Sequence, residues 1–414
     1  MEWSRIATLV VGMTSLTAVA AEAQAPAATE PPSAPFTAGW QDGFVIQSPD
    51  GDNRLVLGLT AQADGRFSLD DPSPITNTFT IRKARPTFSG RVAKYFDFKV
   101  TPDFGNGTAV VQDAYFDIRF SPKFRVRSGK DKTPVGYELL QGDAYLLFPE
   151  RTLASSLVPN RDVGFQAQGD LSPKLSYAGG VFNGVPDVSS STADVDVNNS
   201  KDLAGRIVWQ PFWSTKTPSG ALNGLGFHIG GSTGKQVGTL PFFRTSVGQT
   251  YFSYATGAAA SGTRHRITPA AFYYYKSFGG FVEYVRSSQR VSRSNSTYDV
   301  ANDGWEVTGS YILTGEAASD RGVRPSRAFD PSAGKWGALQ LAARYSHLSV
   351  DPLAFTSGLA AATASRTASA FTIAANWYPA AFIKYYATFE RTSFEGGASR
   401  PTENVILFRT QLAF

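Results

Sequence analysis

Along most of the chain, apolar and polar side chains alternate one for one. In residues 94–100, Phe96, Phe98 and Val100 share one parity, and Asp97 and Lys99 share the other. In residues 114–120, Phe116, Ile118 and Phe120 oppose Tyr115, Asp117 and Arg119. Trp305, Val307, Tyr311 and Leu313 oppose Glu306, Thr308 and Ser310, and Phe371, Ile373 and Trp377 oppose Thr372 and Asn376. A period of two marks a strand with two unlike faces, and no stretch carries a helical stripe of useful length. Gly, Pro, Asn and Asp punctuate these runs. Between residues 54 and 414 they delimit about sixteen strands of roughly ten residues, a length that crosses a bilayer when tilted.

Two architectures can use such strands. A soluble sandwich hides its Phe, Ile and Trp face against a second sheet, whereas a membrane barrel turns that face to lipid and encloses the polar one. The chain favours lipid. Aromatic clusters such as Tyr273-Tyr274-Tyr275, Trp377-Tyr378 and Tyr385-Tyr386 sit where interfacial girdles are needed. Connections alternate between tight ones (Gly279-Gly280, Pro379-Ala380) and long polar ones at 186–200, 232–262 and 316–335. The chain ends in a strand with Ile406, Phe408, Leu412 and Phe414 on one face, and a terminal aromatic resembles the insertion signal of Gram-negative outer-membrane barrels. The expected fold is therefore all-β, a transmembrane antiparallel barrel.

Composition agrees. Charged residues make up only 18% and aromatics 13%, below the usual charge of a soluble domain and too aromatic for a disordered one. Gly (39) and Pro (24) are spread throughout, which argues against an all-helical chain, and the absence of Cys excludes disulfides and thiol chemistry. At the N-terminus, Arg5 precedes a short apolar run ending in A-x-A patterns, which reads as a signal peptide over residues 1–23. Residues 24–53, beginning with an Ala/Pro tract, read as a lead-in to a barrel spanning 54–414. Removing 1–23 takes away Arg5, Glu2 and Glu22 and raises the formal net charge from +5 to +6.

Several motifs then narrow the class: TIRKARPTFSG at 80–90, FDFK at 96–99, FPER at 148–151 with PNRDVG at 159–164, LTGE at 313–316, and NWY at 376–378. In this order, from about residue 54 to the end, they resemble the phosphate-selective porins of the O and P type. The resemblance implies a trimer of sixteen-stranded barrels, each with an inward-folded third loop and a basic anion path. By position it makes Arg82 and Lys83 the paired constriction cations and Phe414 part of the assembly signal. The residues themselves support such a loop: 130–162 is longer than a hairpin needs and carries Leu139, Leu140, Leu153 and the run Tyr145–Phe148, too apolar to float in water.

Strand parity places Lys99, Arg119, Arg206, Arg344, Lys384 and Arg409 on the polar face, against Asp97, Asp117, Glu306 and Glu390. Arg outnumbers Lys 26 to 13, and its planar fork suits phosphate or carboxylate oxygens. Arg82, Lys83 and Arg85 stand within four residues with no acid nearby in sequence. The chain also departs from the family. At the loop position of the constriction lysine it has Ala144, preceded by Asp143 and followed by Arg151, and its fifth loop carries Arg244 alone among Phe242, Phe243, Tyr251 and Tyr254. Those aromatics read either as a sliding surface for organic solutes or as loop packing. The expected partners are small anions such as phosphate, together with outer-membrane lipid and lipopolysaccharide, in a homotrimer that the resemblance implies, with no nucleic acid. No cofactor or metal is called for, and Asp50-Gly-Asp-Asn53 reads as a turn. His228, His265 and His347 sit in no local catalytic motif, His265 reading as a loop or rim residue, so an outer-membrane enzyme or a non-conducting adhesin is the lesser alternative and a general diffusion porin the nearer one.

Overall fold

The computed structural model describes residues 35–190, 198–216 and 220–414; the candidate signal peptide lies outside them. The wall begins with β3 (Arg54–Ser68), β4 (Thr78–Val92), β5 (Phe96–Asp103), β6 (Val110–Ser121), β7 (Phe124–Lys132) and β8 (Arg161–Ser172). It continues through β9 (Leu175–Phe182), β10 (Asp202–Trp209), β11 (Leu225–Gly238), β14 (Ala259–Tyr275) and β15 (Phe278–Arg293). It ends with β16 (Ser296–Ile312), β17 (Ala338–Ser349), β18 (Ser365–Ala380), β19 (Ile383–Gly397) and β20 (Glu403–Ala413). Each pairs antiparallel with the next, and β20 returns to β3 through Phe408↔Gly65 and Leu412↔Ala61. The ring of sixteen strands is closed, so every strand has two neighbours and none offers an open edge.

The burial pattern is that of a soluble protein turned inside out. Phe371 and Ile373 are 46% and 45% exposed, whereas Thr372 and Asn376 between and beside them are fully buried. Trp305 and Val307 are 40% and 48% exposed while Glu306 and Thr308 are buried. An apolar face this extensive is stable only against hydrocarbon. The expected parity therefore holds, with the polar face enclosed.

Some boundaries differ from those the sequence suggested. Gly279 and Gly280 lie within β15 and Pro379 and Ala380 within β18; the tight turns are at 276–277 and 381–382. The long connection expected at 232–262 narrows to 239–258, because β11 and β14 continue past the apolar band, where both faces are polar and the alternation fades. The connection 313–337 is long yet lies at the same barrel end as the tight turns, so short and long connections do not alternate strictly. Within the lead-in, residues 37–47 form a hairpin, β1 (Thr37–Trp40) and β2 (Phe44–Gln47), which adds to the first residues of β3. Its Trp40 ring packs 5.0 Å from Phe44 and 5.2 Å from Phe414, and Phe414 exchanges both backbone hydrogen bonds with Leu59 across the closing seam. The Asp50 carboxylate accepts from the Asp52 N–H at 2.9 Å, as a turn requires.

Replacing Ile373 by Arg should cost about 2–4 kcal/mol if its site is near the bilayer midplane, where a charge loses its hydration. On a soluble surface an exposed Ile→Arg change would be close to neutral. Urea unfolding in lipid vesicles, followed by tryptophan fluorescence, distinguishes the two.

Candidate functional site

Strict alternation would send Arg82 and Lys83 to opposite faces of β4. The β3–β4 register instead steps from Gln62↔Lys83 to Ala63↔Ile81, leaving Arg82 as an extra residue. Such a bulge re-aims one side chain. Arg82, Lys83 and Arg85 all turn inward, while Ile81 stays on the lipid side. Gly105 packs against the bulge so closely that a Cβ there would lie 2.5 Å from the Arg82 carbonyl oxygen, which only glycine avoids.

The three cations are isolated from acids along the chain but not in space. Between β7 and β8, residues 133–160 bring Asp143 and Glu150 against them. Arg82 holds Glu150 in a fork, Nε to Oε1 at 2.7 Å and Nη2 to Oε2 at 3.1 Å. Lys83 Nζ lies 2.8 Å from Asp143, and Arg85 bonds both Asp103, at 2.7 Å, and Asp143. Arg151 donates to Asp143 at 2.8 Å and to the Gln141 carbonyl at 2.9 Å. Glu150 also accepts from Arg66 at 2.9 Å and Arg409 at 3.1 Å. The expectation of an acid-free cluster is thus corrected: acids near in sequence are not the ones that matter. Burial pushes the Glu150 carboxyl up, but Arg82 and Arg409 beside it outweigh that and hold it well below the usual carboxylate range. Asp143 behaves likewise: burial opposes ionisation, and Lys83, Arg151 and Lys132 prevail.

The same segment is bonded to the far wall. Lys384 Nζ donates to the Leu146 carbonyl at 2.7 Å, Asn376 Nδ2 to Leu147 at 2.9 Å, and Gln411 Nε2 to Ala144 at 2.9 Å. Arg344 Nη1 donates to the Glu150 carbonyl at 2.8 Å, and Arg409 to that of Pro149. From β15, the Glu283 carboxylate accepts the N–H groups of Tyr137 and Glu138 at 2.6 and 3.0 Å. Arg344, Lys384 and Arg409, which parity placed on the polar face, are accordingly committed to the segment. Glu306 accepts from Thr152 at 3.0 Å, and Glu390 pairs with Arg344 at 3.2 Å. Sequence reasoning missed as partners Glu150, Asp103, Glu283 and Asp64, whose carboxylate accepts a fork from Arg409 at 2.6 and 2.7 Å. The only signal was the Pro-Glu-Arg triplet.

Elsewhere on the inner face, Lys99 pairs with Asp113 at 3.0 Å and Arg119 with Asp97 at 3.6 Å. Arg244 lies apart from the β4 cations, in a small hairpin of β12 (Phe243–Arg244) and β13 (Thr250–Phe252), stacked 4.5 Å from the Phe242 ring. Phe243 and Tyr251 are buried in a cluster with Leu153, Leu157 and Val285, and Tyr254 packs against it. They are loop packing, with Tyr254 only partly buried, whereas Phe242 is 43% exposed. His265 lies in β14 on the outward face, bonded to Thr233 at 2.9 Å, rather than in a loop. His347 Nδ1 lies 2.8 Å from Ser369 Oγ, a pairing that no local motif announced. Among the described residues its other nitrogen has no orienting acid or amide of the kind a nucleophile–base pair requires.

Two cavities share the segment as a common wall. One, of about 800 Å³, touches Asp143, Ala144 and Tyr145; the other, of about 780 Å³, touches Glu150, Arg151 and Thr152. Nine basic side chains against four acidic ones line the first, and five against two line the second.

A closed barrel with a lipid-facing apolar belt and a charged interior defines an outer-membrane pore protein. The chain belongs to the family described as phosphate-selective porin O and P, whose sequence profile matches residues 57–414. It is thus a porin of the Gram-negative outer membrane. Among solved structures it is similar in fold to the outer-membrane channel DcaP of Acinetobacter baumannii (12% identity, 89% of this chain and 99% of that one, TM-score 0.56). It is also similar to the anion-selective porin from Comamonas acidovorans (11% identity, 87% and 100%, TM-score 0.54) and to the trimer form of Vibrio cholerae OmpT (11%, 87% and 99%, TM-score 0.54). No curated protein matches the sequence.

Because a depressed carboxyl contributes stability above its ordinary titration range and loses it only as pH falls through the folded value, the Glu150 and Asp143 contacts should survive acidification. Conductance should stay flat from pH 7 down to about pH 4. Glu150→Gln, which leaves Arg66, Arg82 and Arg409 without their shared anion, should shift the reversal potential further toward anions at neutral pH.

Proposed function

We propose that this porin passes small anions by passive diffusion through a water-filled pore that residues 133–160 narrow from within, and that it does so as a homotrimer whose outer belt meets membrane lipid and lipopolysaccharide. The observation that carries the reading is the basic excess lining the cavities on both sides of that segment. A narrow, partly dry passage strengthens the field of those charges on a passing ion. Membership of a phosphate-porin family supports the anion class, as does the fold shared with a porin described as anion-selective.

Ala144 and the solitary Arg244 argue for weaker phosphate preference than a continuous row of arginines would give. A general diffusion porin is the second reading, favoured by how many of the lumenal cations are already neutralised by acids.

In planar bilayers, the reversal potential across a potassium chloride gradient should indicate anion preference. Changing Arg82 and Lys83 together to Ala should reduce it, because Asp143 and Glu150 would then lose two neighbouring cations. A cation-selective unmodified pore would overturn the anion path and leave the general porin.

A further inference from the structure

We infer that the inner wall formed by β8, β9 and β10 carries a docking subsite for a small oxyanion, with Arg206 as its principal residue. This rests on the anion-path reading above and specifies where along the path an anion pauses.

Arg206, on β10, differs from the neighbouring inward cations Arg127 on β7 and Arg161 on β8. Arg127 is held by Asp117 at 2.7 Å and also by Asp131, and Arg161 by Asp113 at 2.7 Å. Arg206 makes no hydrogen bond or ion pair with another described residue, although it lines the 800 Å³ cavity. Register explains why. On one side its partner is Ala178 of β9, and on the other Gly230 of β11, so neither adjacent strand supplies a side chain to meet it. Asp131 acts on it electrostatically but is already bonded to Arg127, so the inward charge is only partly compensated beside a low-dielectric wall, and water or a mobile anion completes the compensation.

The next residue in the same row supplies a second donor. Gln168 of β8 is also opposite Ala178, from the other side, and its Nε2 is buried with no hydrogen-bond partner among the described residues. Buried amide donors are rarely left unmet. Two strand spacings, about 10 Å, separate Gln168 from Arg206 across the small Ala178. Two long side chains can close that gap around one small oxyanion. Gln166, one inward position along β8, lines the same cavity. An arginine fork and an amide donor match two or more oxygens of a phosphate or carboxylate, whereas chloride offers a single spherical acceptor. The site therefore favours oxyanions over halides.

The test is block of chloride current by inorganic phosphate in planar bilayers holding the full mature protein. The phosphate is added on the side bearing the chain termini and tight turns. Arg206→Ala should raise the half-blocking concentration about tenfold, equivalent to about 1.4 kcal/mol. Arg206→Lys, which keeps the charge but not the fork, should fall between. Arg321→Ala removes the same charge from the same cavity, at an exposed connection, and should change block by less than about twofold. If Arg206→Ala does not assemble, judged by heat-modifiable migration, Gln168→Met serves instead and should weaken block about threefold. Block untouched by the Arg206 and Gln168 changes, or weakened equally by Arg321→Ala, overturns the subsite while an anionic reversal potential leaves the path standing. Cation selectivity of the unmodified pore overturns both.

Discussion

Hydrocarbon offers no hydrogen bonds, and that one constraint shapes the rest of the molecule. Every backbone N–H and C=O that crosses the membrane must find its partner within the protein, and a sheet achieves this only by closing on itself. The β20–β3 seam is where closure is completed, and the Phe414 backbone extends it by exchanging hydrogen bonds with Leu59. Closure then fixes the side chains. One parity faces lipid and must be apolar; the other is shut inside with water and its own charges.

The interior solves a second problem created by the first. An enclosed polar face gathers arginine, lysine, aspartate and glutamate at low dielectric, where an unpaired charge is expensive. Residues 133–160 answer part of that demand. Glu150 is shared by Arg66, Arg82 and Arg409, Asp143 by Lys83, Arg85 and Arg151, and segment carbonyls take up Lys384, Arg344 and Asn376. Charges that an inventory would assign to an ion path are thereby spent on holding the segment in place. Among the described residues, the cations that line the two cavities without an ion pair include Arg206 and Arg321 on one side and Arg244 on the other.

The β4 bulge shows how small a backbone irregularity can set chemistry. One extra residue brings Arg82 and Lys83 to the same face, where each meets a different carboxylate of the segment. Gly105 permits the close approach that the bulge requires. The absence of a matching side chain at Ala178 and Gly230 has the opposite effect, leaving Arg206 without a hydrogen bond or ion pair among the described residues.

The strand count and the lipid-facing parity were legible in the sequence, because a strand's two faces follow from a period of two and need no knowledge of what lies across the barrel. Phe371, Thr372, Trp305 and Glu306 each sit on the face their parity assigns. Pairing was not legible, since Arg82 and Glu150 are 68 positions apart, and Arg409 and Asp64 are 345. Nor were the burial of Phe243 and Tyr251, the N-terminal hairpin, or the contact of His347 with Ser369. These depend on which strands closure brings side by side and on where a long connection comes to rest, and local patterning carries no term for either. Periodicity determined which way each side chain points; only the tertiary structure decided what it meets there, because charge compensation in an enclosed space is a property of the whole ring.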